Sequence, residues 1–174
     1  MALTRNRRRR SSSASPGFIP PQLATLVTQA PDGPGYLHEI KLDGYRMLGR
    51  VDSGEVQLLT RTGLDWTSKY PAIAEALAGL PVSTAYLDGE LCGVLPDGRT
   101  AFNLVQNAAD TRSRGSLVFF LFDLLFLDGA DLRSLPLIER KDRLKPLLAD
   151  APPCLQFVDH QIGLQVRLRI NVLV

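Results

Sequence analysis

Lys41 is the residue whose setting first suggests chemistry. It stands in Glu39-Ile40-Lys41-Leu42-Asp43-Gly44-Tyr45-Arg46, at the end of a strand-like segment and directly before an Asp-Gly turn. A lysine acts as a nucleophile only after losing its proton, which burial or neighbouring positive charge favours. Arg46 is close enough in sequence to supply that charge. Taken alone, K-x-D-G is only four positions, and an exposed strand-end lysine beside a turn is the simpler reading. Three further clusters shift the balance. Arg61-Thr62-Gly63 ends another strand, Leu87-Asp88-Gly89-Glu90 marks a third, and Phe120-Leu121-Phe122-Asp123 lies in a fourth. Over one cleft they would combine a lysine nucleophile, an arginine on phosphate or ribose, a glutamate on ribose or metal, and an aromatic ring on a base.

These segments carry a family resemblance. The stretch from Pro16 to about Asp159 resembles the adenylation (nucleotidyltransferase) domain of bacterial ATP-dependent DNA ligases, and looks most like the ligase module of the end-joining ligases. HEIKLDGYR matches the family's first motif, LLTRTGLDW its second, LDGEL its third, and FFLFDLLFLDG the aromatic motif that follows. The resemblance implies an α+β, ATP-grasp-like nucleotidyltransferase domain with antiparallel sheets flanked by helices. It implies that Lys41 attacks the α-phosphate of ATP and holds AMP as a phosphoramidate. It further places Glu39 on the adenine amino group, Arg46 by the nucleotide phosphate, Arg61 at the ribose and phosphate, and Phe122 against the base. Glu90 is implied at the ribose hydroxyls or a divalent metal, Mg2+ or Mn2+. The partner implied is nicked or broken double-stranded DNA, whose 5′-phosphate receives AMP before the 3′-hydroxyl displaces it, in repair and recombination and alongside end-joining proteins.

The family pattern continues with a Glu-Gly-(apolar)-(apolar)-x-Lys strand, a Trp-(apolar)-Lys-x-Lys strand and a small OB-fold domain. None of these occurs in the sequence, and Leu164–Val174 has no family counterpart. The resemblance therefore implies a domain truncated at its C-terminus, with its ligase activity impaired. An RNA ligase or mRNA-capping guanylyltransferase shares K-x-D-G chemistry, and a non-catalytic nucleotide- or DNA-binding fragment is the reading from a different class. Plainer readings stand beside the individual residues too. Glu39 and Asp88 suit ordinary strand-edge charges, Arg61 suits a rim charge, and Phe122 sits in an apolar run where a core role is as common as a stacking one. His38 and His160 show no metal-ligand spacing and read as structural or exposed. The run Glu139-Arg140-Lys141-Asp142-Arg143 reads as a solvated helix face with Glu139 pairing Arg143.

The elements that must position these residues are short and mixed. The chain has 174 residues, 45% hydrophobic and 22% charged, which suits about one domain with a real core. The longest apolar block, Leu117–Leu127, is too short to span a bilayer and contains Asp123, so a membrane protein is excluded. Cys92 and Cys154 form neither a disulfide framework nor a zinc set, which points to a reducing compartment; the resemblance implies the bacterial cytoplasm.

The net charge of +2 hides an asymmetry. Residues 1–14 hold five arginines and no acid, which leaves 15 bases and 18 acids, net −3, for residues 15–174. Residues 1–16 read as a disordered Arg/Ser-rich tail, with non-specific attraction to nucleic acid or a transit peptide as the other readings. Residues 17–160 read as the partial adenylation domain, and 161–174 as a divergent segment.

Within the domain a short helix is expected near Pro21–Thr28. Strands are expected at Leu37–Lys41, Arg46–Val51 and Glu55–Thr60, with Asp52-Ser53-Gly54 turning between the last two. Ser68 reads as the N-cap of a helix over Lys69–Ala78. Strands at Thr84–Leu87 and Glu90–Leu95, a helix around Phe102–Ala109 and a buried strand Leu117–Asp123 follow. Pro136 opens a helix with Leu137, Ile138, Leu144, Leu147 and Leu148 inward, and a strand is expected at Leu155–Asp159.

Overall fold

The structure is a computed structural model, and it describes residues 15–25, 27, 28, 31, 33–106 and 116–163. Two antiparallel hairpin partners start the main sheet. Strand β2 (Tyr45–Asp52) turns into β3 (Glu55–Thr60) through Ser53 and Gly54, whose φ values of 55° and 92° make a two-residue turn between the paired Asp52 and Glu55. Positive φ at both central positions matches the right-handed twist of the strands, so the expected Asp-Ser-Gly turn is what closes this hairpin. The helix α1 (Pro71–Ala78) follows, then β4 (Thr84–Val94), the short α2 (Phe102–Gln106) and β5 (Ser116–Leu127). The chain ends with β6 (Ala130–Asp131), α3 (Leu137–Leu147), β7 (Leu155–Phe157) and β8 (His160–Ile162). Strand β1 (Leu37–Glu39) pairs with β8, with Glu39 opposite His160.

The main sheet has six strands in the order β3-β2-β4-β5-β6, with β7 also on β5. It is antiparallel except for β5 and β7, which run parallel and are joined by way of α3. Alternation along β2 and β4 gives the sheet two unlike faces. Met47, Val51, Ala85, Leu87 and Leu91 join Ile73 and Leu77 of α1, Leu144 of α3 and Phe119, Leu121 and Leu124 of β5 in the large core. The opposite face carries Leu48, Leu59, Tyr86, Leu125 and Phe126 in a smaller cluster, closed by Ile19, and then turns polar. No helix among the described residues is long and apolar enough to cross a membrane.

The structure departs from the expected elements at several points. The helix near Pro21–Thr28 does not form among the described residues there. The segment instead lies over the sheet, held by contacts remote in sequence: Ile19 N–H donates to Tyr86 Oη at 3.0 Å and Ile19 closes the smaller apolar cluster. Ser68 is not an N-cap. Thr67–Lys69 is a single 3-10 turn, and the helix begins at Pro71 because the residue before a proline is driven out of the helical region; Tyr70 has φ −131° and ψ 60°.

Asp88-Gly89 does not break the chain either, so the two expected strands are one eleven-residue strand, β4. A Cβ on Gly89 would meet the Phe120 carbonyl oxygen at 2.5 Å and the Phe119 ring at 2.7 Å, so glycine serves close strand packing here, not turning. The strand at Leu155–Asp159 stops at Phe157, and the helix at Phe102 is described only to Gln106. The basic tail through residue 14 and Leu164–Val174 lie outside the described residues.

Candidate active site

The polar half of the second sheet face is the floor of a cavity of about 640 Å3, within the range usual for small-molecule sites. Strand parity brings its residues together. Arg46 on β2 pairs in register with Glu90 on β4, and Asp88 on β4 pairs with Asp123 on β5. An irregularity between Asp88 and Gly89 leaves Phe122 as an extra residue on β5, because Asp88 faces Asp123 while Gly89 faces Leu121. The bulge breaks the two-residue alternation, so Phe122 and Asp123, adjacent in sequence, both line the cavity. Leu23 and Ala24 of the lead-in, Glu39, Ile40 and Leu42 around the end of β1, and Leu137 and Arg140 of α3 supply the walls.

The floor is a network of paired charges. Arg46 donates from Nε and Nη2 to both carboxylate oxygens of Asp88, at 2.6 and 2.8 Å, and its guanidinium sits 4.4 Å from the centroid of the Phe122 ring. Burial opposes the charge on Arg46, but the Asp88 bond and the nearby Glu90 and Asp123 charges outweigh it and hold the guanidinium more firmly protonated. Burial pushes the Asp88 carboxyl up, against the pull of Arg46. Glu90 is pushed up to about 7, first by burial, with Asp88 and Asp43 adding to it and Arg46 resisting. Its Oε1 accepts the Gly44 N–H at 3.1 Å. A Cβ on Gly44 would run into the Leu91 carbonyl oxygen, so the glycine of K-x-D-G is what lets the turn lie against β4 and reach Glu90. Cys92, next to this turn, is a buried thiol pushed up to about 12, chiefly by burial, and is not a nucleophile.

Helix α3 contributes what sequence reasoning missed. The run Glu139–Arg143 is not simply a solvated face, and no Glu139–Arg143 ion pair forms. Arg140 donates from Nε and Nη2 to Asp123 at 2.7 and 2.8 Å and from Nη1 to the Leu135 carbonyl at 2.6 Å. Lys141 is 0% exposed and pairs with Glu39. A signal was present: Leu137, Arg140, Lys141, Leu144 and Leu148 fall at i, i+3, i+4, i+7 and i+11, the inward stripe of one helix. Charge at two of those positions hid it.

Of the residues singled out from sequence, Glu39, Arg46, Glu90 and Phe122 line one cavity. Lys41 and Arg61 do not. Lys41 lies between the cavity-lining Ile40 and Leu42, and both cations are exposed with no hydrogen bond or ion pair among the described residues. His38 is buried in β1, with neither ring nitrogen partnered among the described residues, and His160 is half-buried. Among the described residues no three His, Cys, Asp or Glu side chains converge on one point. Asp88 and Asp123 are each tied to an arginine, which leaves Glu90 as the acidic group on this floor without an arginine bound to it.

Residues 21–167 match the model of the ATP dependent DNA ligase domain. The multifunctional non-homologous end joining protein LigD of Pseudomonas aeruginosa is 45% identical over 133 residues, 76% of this chain and 16% of that protein. A probable DNA ligase of Mycolicibacterium gilvum is 36% identical over 140 residues, 75% of this chain and 27% of the relative. Among solved structures, mycobacterial DNA ligase D complexed with ATP and MES matches with a TM-score of 0.66 at 34% identity, covering 81% of this chain and 46% of that one. The chain thus spans less than half the length of these relatives. The match to the family model over most of the sequence shows that this chain belongs to the ATP-dependent DNA ligase domain family.

Proposed function

We propose that this chain performs the nucleotide-charging step of an ATP-dependent DNA ligase, the transfer of AMP from ATP to Lys41. The observation that supports it is that Glu39, Arg46, Glu90 and Phe122, drawn from separate sequence motifs, line one cavity, with Ile40 and Leu42 on either side of Lys41. In the proposed step the neutral Lys41 Nζ attacks the α-phosphorus. The bond from that phosphorus to the bridging oxygen breaks, pyrophosphate leaves, and the surplus proton on nitrogen goes to solvent. AMP remains on Lys41 through a P–N bond.

The base occupies the cavity at Phe122, with its amino group toward Glu39. Glu90 meets the ribose hydroxyls. Arg46 orders the phosphate side of the site, and Arg61, which has no carboxylate partner among the described residues, is available to phosphate. A divalent ion, Mg2+ or Mn2+, would be carried mainly by the phosphate oxygens, with Glu90 as the protein group nearest to that role. The chemistry is positioning plus neutralisation of phosphate charge.

AMP then passes to a 5′-phosphate at a nick or break in double-stranded DNA, and the 3′-hydroxyl displaces it. The name of the P. aeruginosa relative suggests end joining as the setting, in the bacterial cytoplasm alongside other end-joining proteins. The exposure of Lys41 outside the cavity lining favours a second reading, nucleotide binding without a covalent step. One experiment separates them. The chain is incubated with Mg2+ and ATP labelled at either the α- or the γ-phosphate, then denatured. Covalent label from the α-position only, lost in Lys41→Ala, is the result expected. Protection against unfolding by ATP with no covalent label would favour the second reading. GTP outcompeting ATP would point to the capping-type reaction.

A further inference from the structure

The ammonium of Lys141 has three N–H donors, and each has an acceptor. They go to Glu39 Oε1, to the Val158 carbonyl at 2.9 Å and to the Phe122 carbonyl at 3.3 Å. The side chain is 0% exposed, while Glu39 is 26% exposed. A charge so fully withdrawn from water is retained only where its partners satisfy it. Here those partners include the carboxylate of one cavity residue and the backbone of another. Glu39 Oε2 accepts no hydrogen bond among the described residues.

We propose that Lys141 is the positioning residue for base recognition: it fixes the Glu39 carboxylate through Oε1 and the Phe122 backbone through its carbonyl, leaving Glu39 Oε2 to accept the amino N–H of adenine. This rests on the nucleotide reading above and deepens it. An ionised carboxylate only accepts hydrogen bonds. It therefore favours a purine bearing an amino group at that position and repels one bearing a carbonyl oxygen there. Held by Lys141, the carboxylate has little freedom to turn away from the wrong base. Lys141 touches neither base nor phosphate in this account, and its effect is on selection and affinity, not on bond making.

The test compares ATP with purine riboside triphosphate, which lacks the amino group, in the full chain and its variants. Both equilibrium protection against thermal unfolding and the rate of covalent labelling are read. The unsubstituted chain should prefer ATP by roughly tenfold or more, as expected for a hydrogen bond to a charged group. Lys141→Met keeps the length and apolar stem but cannot donate. It should raise the ATP concentration for half-maximal labelling, leave the rate at saturation largely intact, and bring the preference for ATP over the purine analogue close to one.

Glu39→Gln should also lower the preference, and adding Lys141→Met to Glu39→Gln should change it no further. Equal losses for both nucleotides in Lys141→Met would show a merely structural role and overturn the proposal. If Lys141→Met does not fold, an unchanged preference in Glu39→Gln overturns it instead. If the unsubstituted chain binds both nucleotides with the stated preference but takes up no covalent label, the charging reaction falls and the positioning role stands. If it binds neither, both fall.

Discussion

Two sets of cations at the candidate site stand in contrast. Arg46, Arg140 and Lys141 are drawn into the structure and tied to Asp88, Asp123 and Glu39. Lys41 and Arg61 are exposed and tied to nothing among the described residues. The first group sits where strand parity and the inward stripe of α3 converge, so each charge had to bring its own carboxylate with it. The second group sits just beyond strand ends, at the Asp-Gly turn and the Thr-Gly turn, where solvent carries the cost of charge. The difference teaches a division of labour. The locked side chains hold the walls and floor of the cavity in shape with their charge already partnered, whereas Lys41 and Arg61 have no partner of their own among the described residues.

Substitutions can break this comparison, and the largest effect is expected at Asp88, a buried carboxylate that takes two bonds from one guanidinium. Asp88→Ala leaves the Arg46 guanidinium without its bidentate partner, which should cost roughly 3 kcal/mol or more of unfolding free energy in a urea titration. Arg140→Ala removes a partly solvated pair from the cavity wall. It should cost less, about 1–2 kcal/mol, in the same titration.

Glu90→Gln sharpens the contrast through pH. The Glu90 carboxyl titrates near 7 in the folded chain and near 4.5 when unfolded, so the folded state keeps a proton that the unfolded state has given up between those values. The contribution of this group to stability is therefore full below about 4.5 and is lost as pH rises through 7. Glu90→Gln removes that slope, so thermal melts of the variant should gain on the unsubstituted chain between pH 5 and 7.5, by a few degrees at most. The smallest effects on stability belong to Lys41→Ala and Arg61→Ala, each within about 0.5 kcal/mol. Loss of nucleotide charging in those two variants, with the melting temperature unmoved, would separate the free group from the locked one.

Much of the hairpin framework was legible because local chemistry and tertiary fold agree there. Gly54 sits at the positive φ its type favours, β3 runs over the expected Glu55–Thr60, and Pro136 precedes α3. What escaped reading was set by contacts remote in sequence. Asp88-Gly89 has turn chemistry, but the close approach of Phe119 and Phe120 turns the pair into the middle of a long strand. The bulge that brings Phe122 and Asp123 to the same cavity depends on the register with β4, which no local pattern reports. Arg140 and Lys141 look solvated until their partners on β5 and β1 are known, since charge at a buried helix position is explained only by what it meets. For the site, the residue types in the motifs were enough to gather Glu39, Arg46, Glu90 and Phe122. They were not enough to show that Arg46 is already engaged by Asp88, or that Lys41 and Arg61 stand outside the cavity lining.

The most direct test of the account is the intact mass of the chain after incubation with ATP and Mg2+, followed by peptide mapping. The account predicts a gain of a single AMP, located on the peptide containing Lys41 and absent from Lys41→Ala. No gain in mass under conditions where the chain is folded, or an AMP found on another lysine such as Lys69 or Lys145, would contradict it.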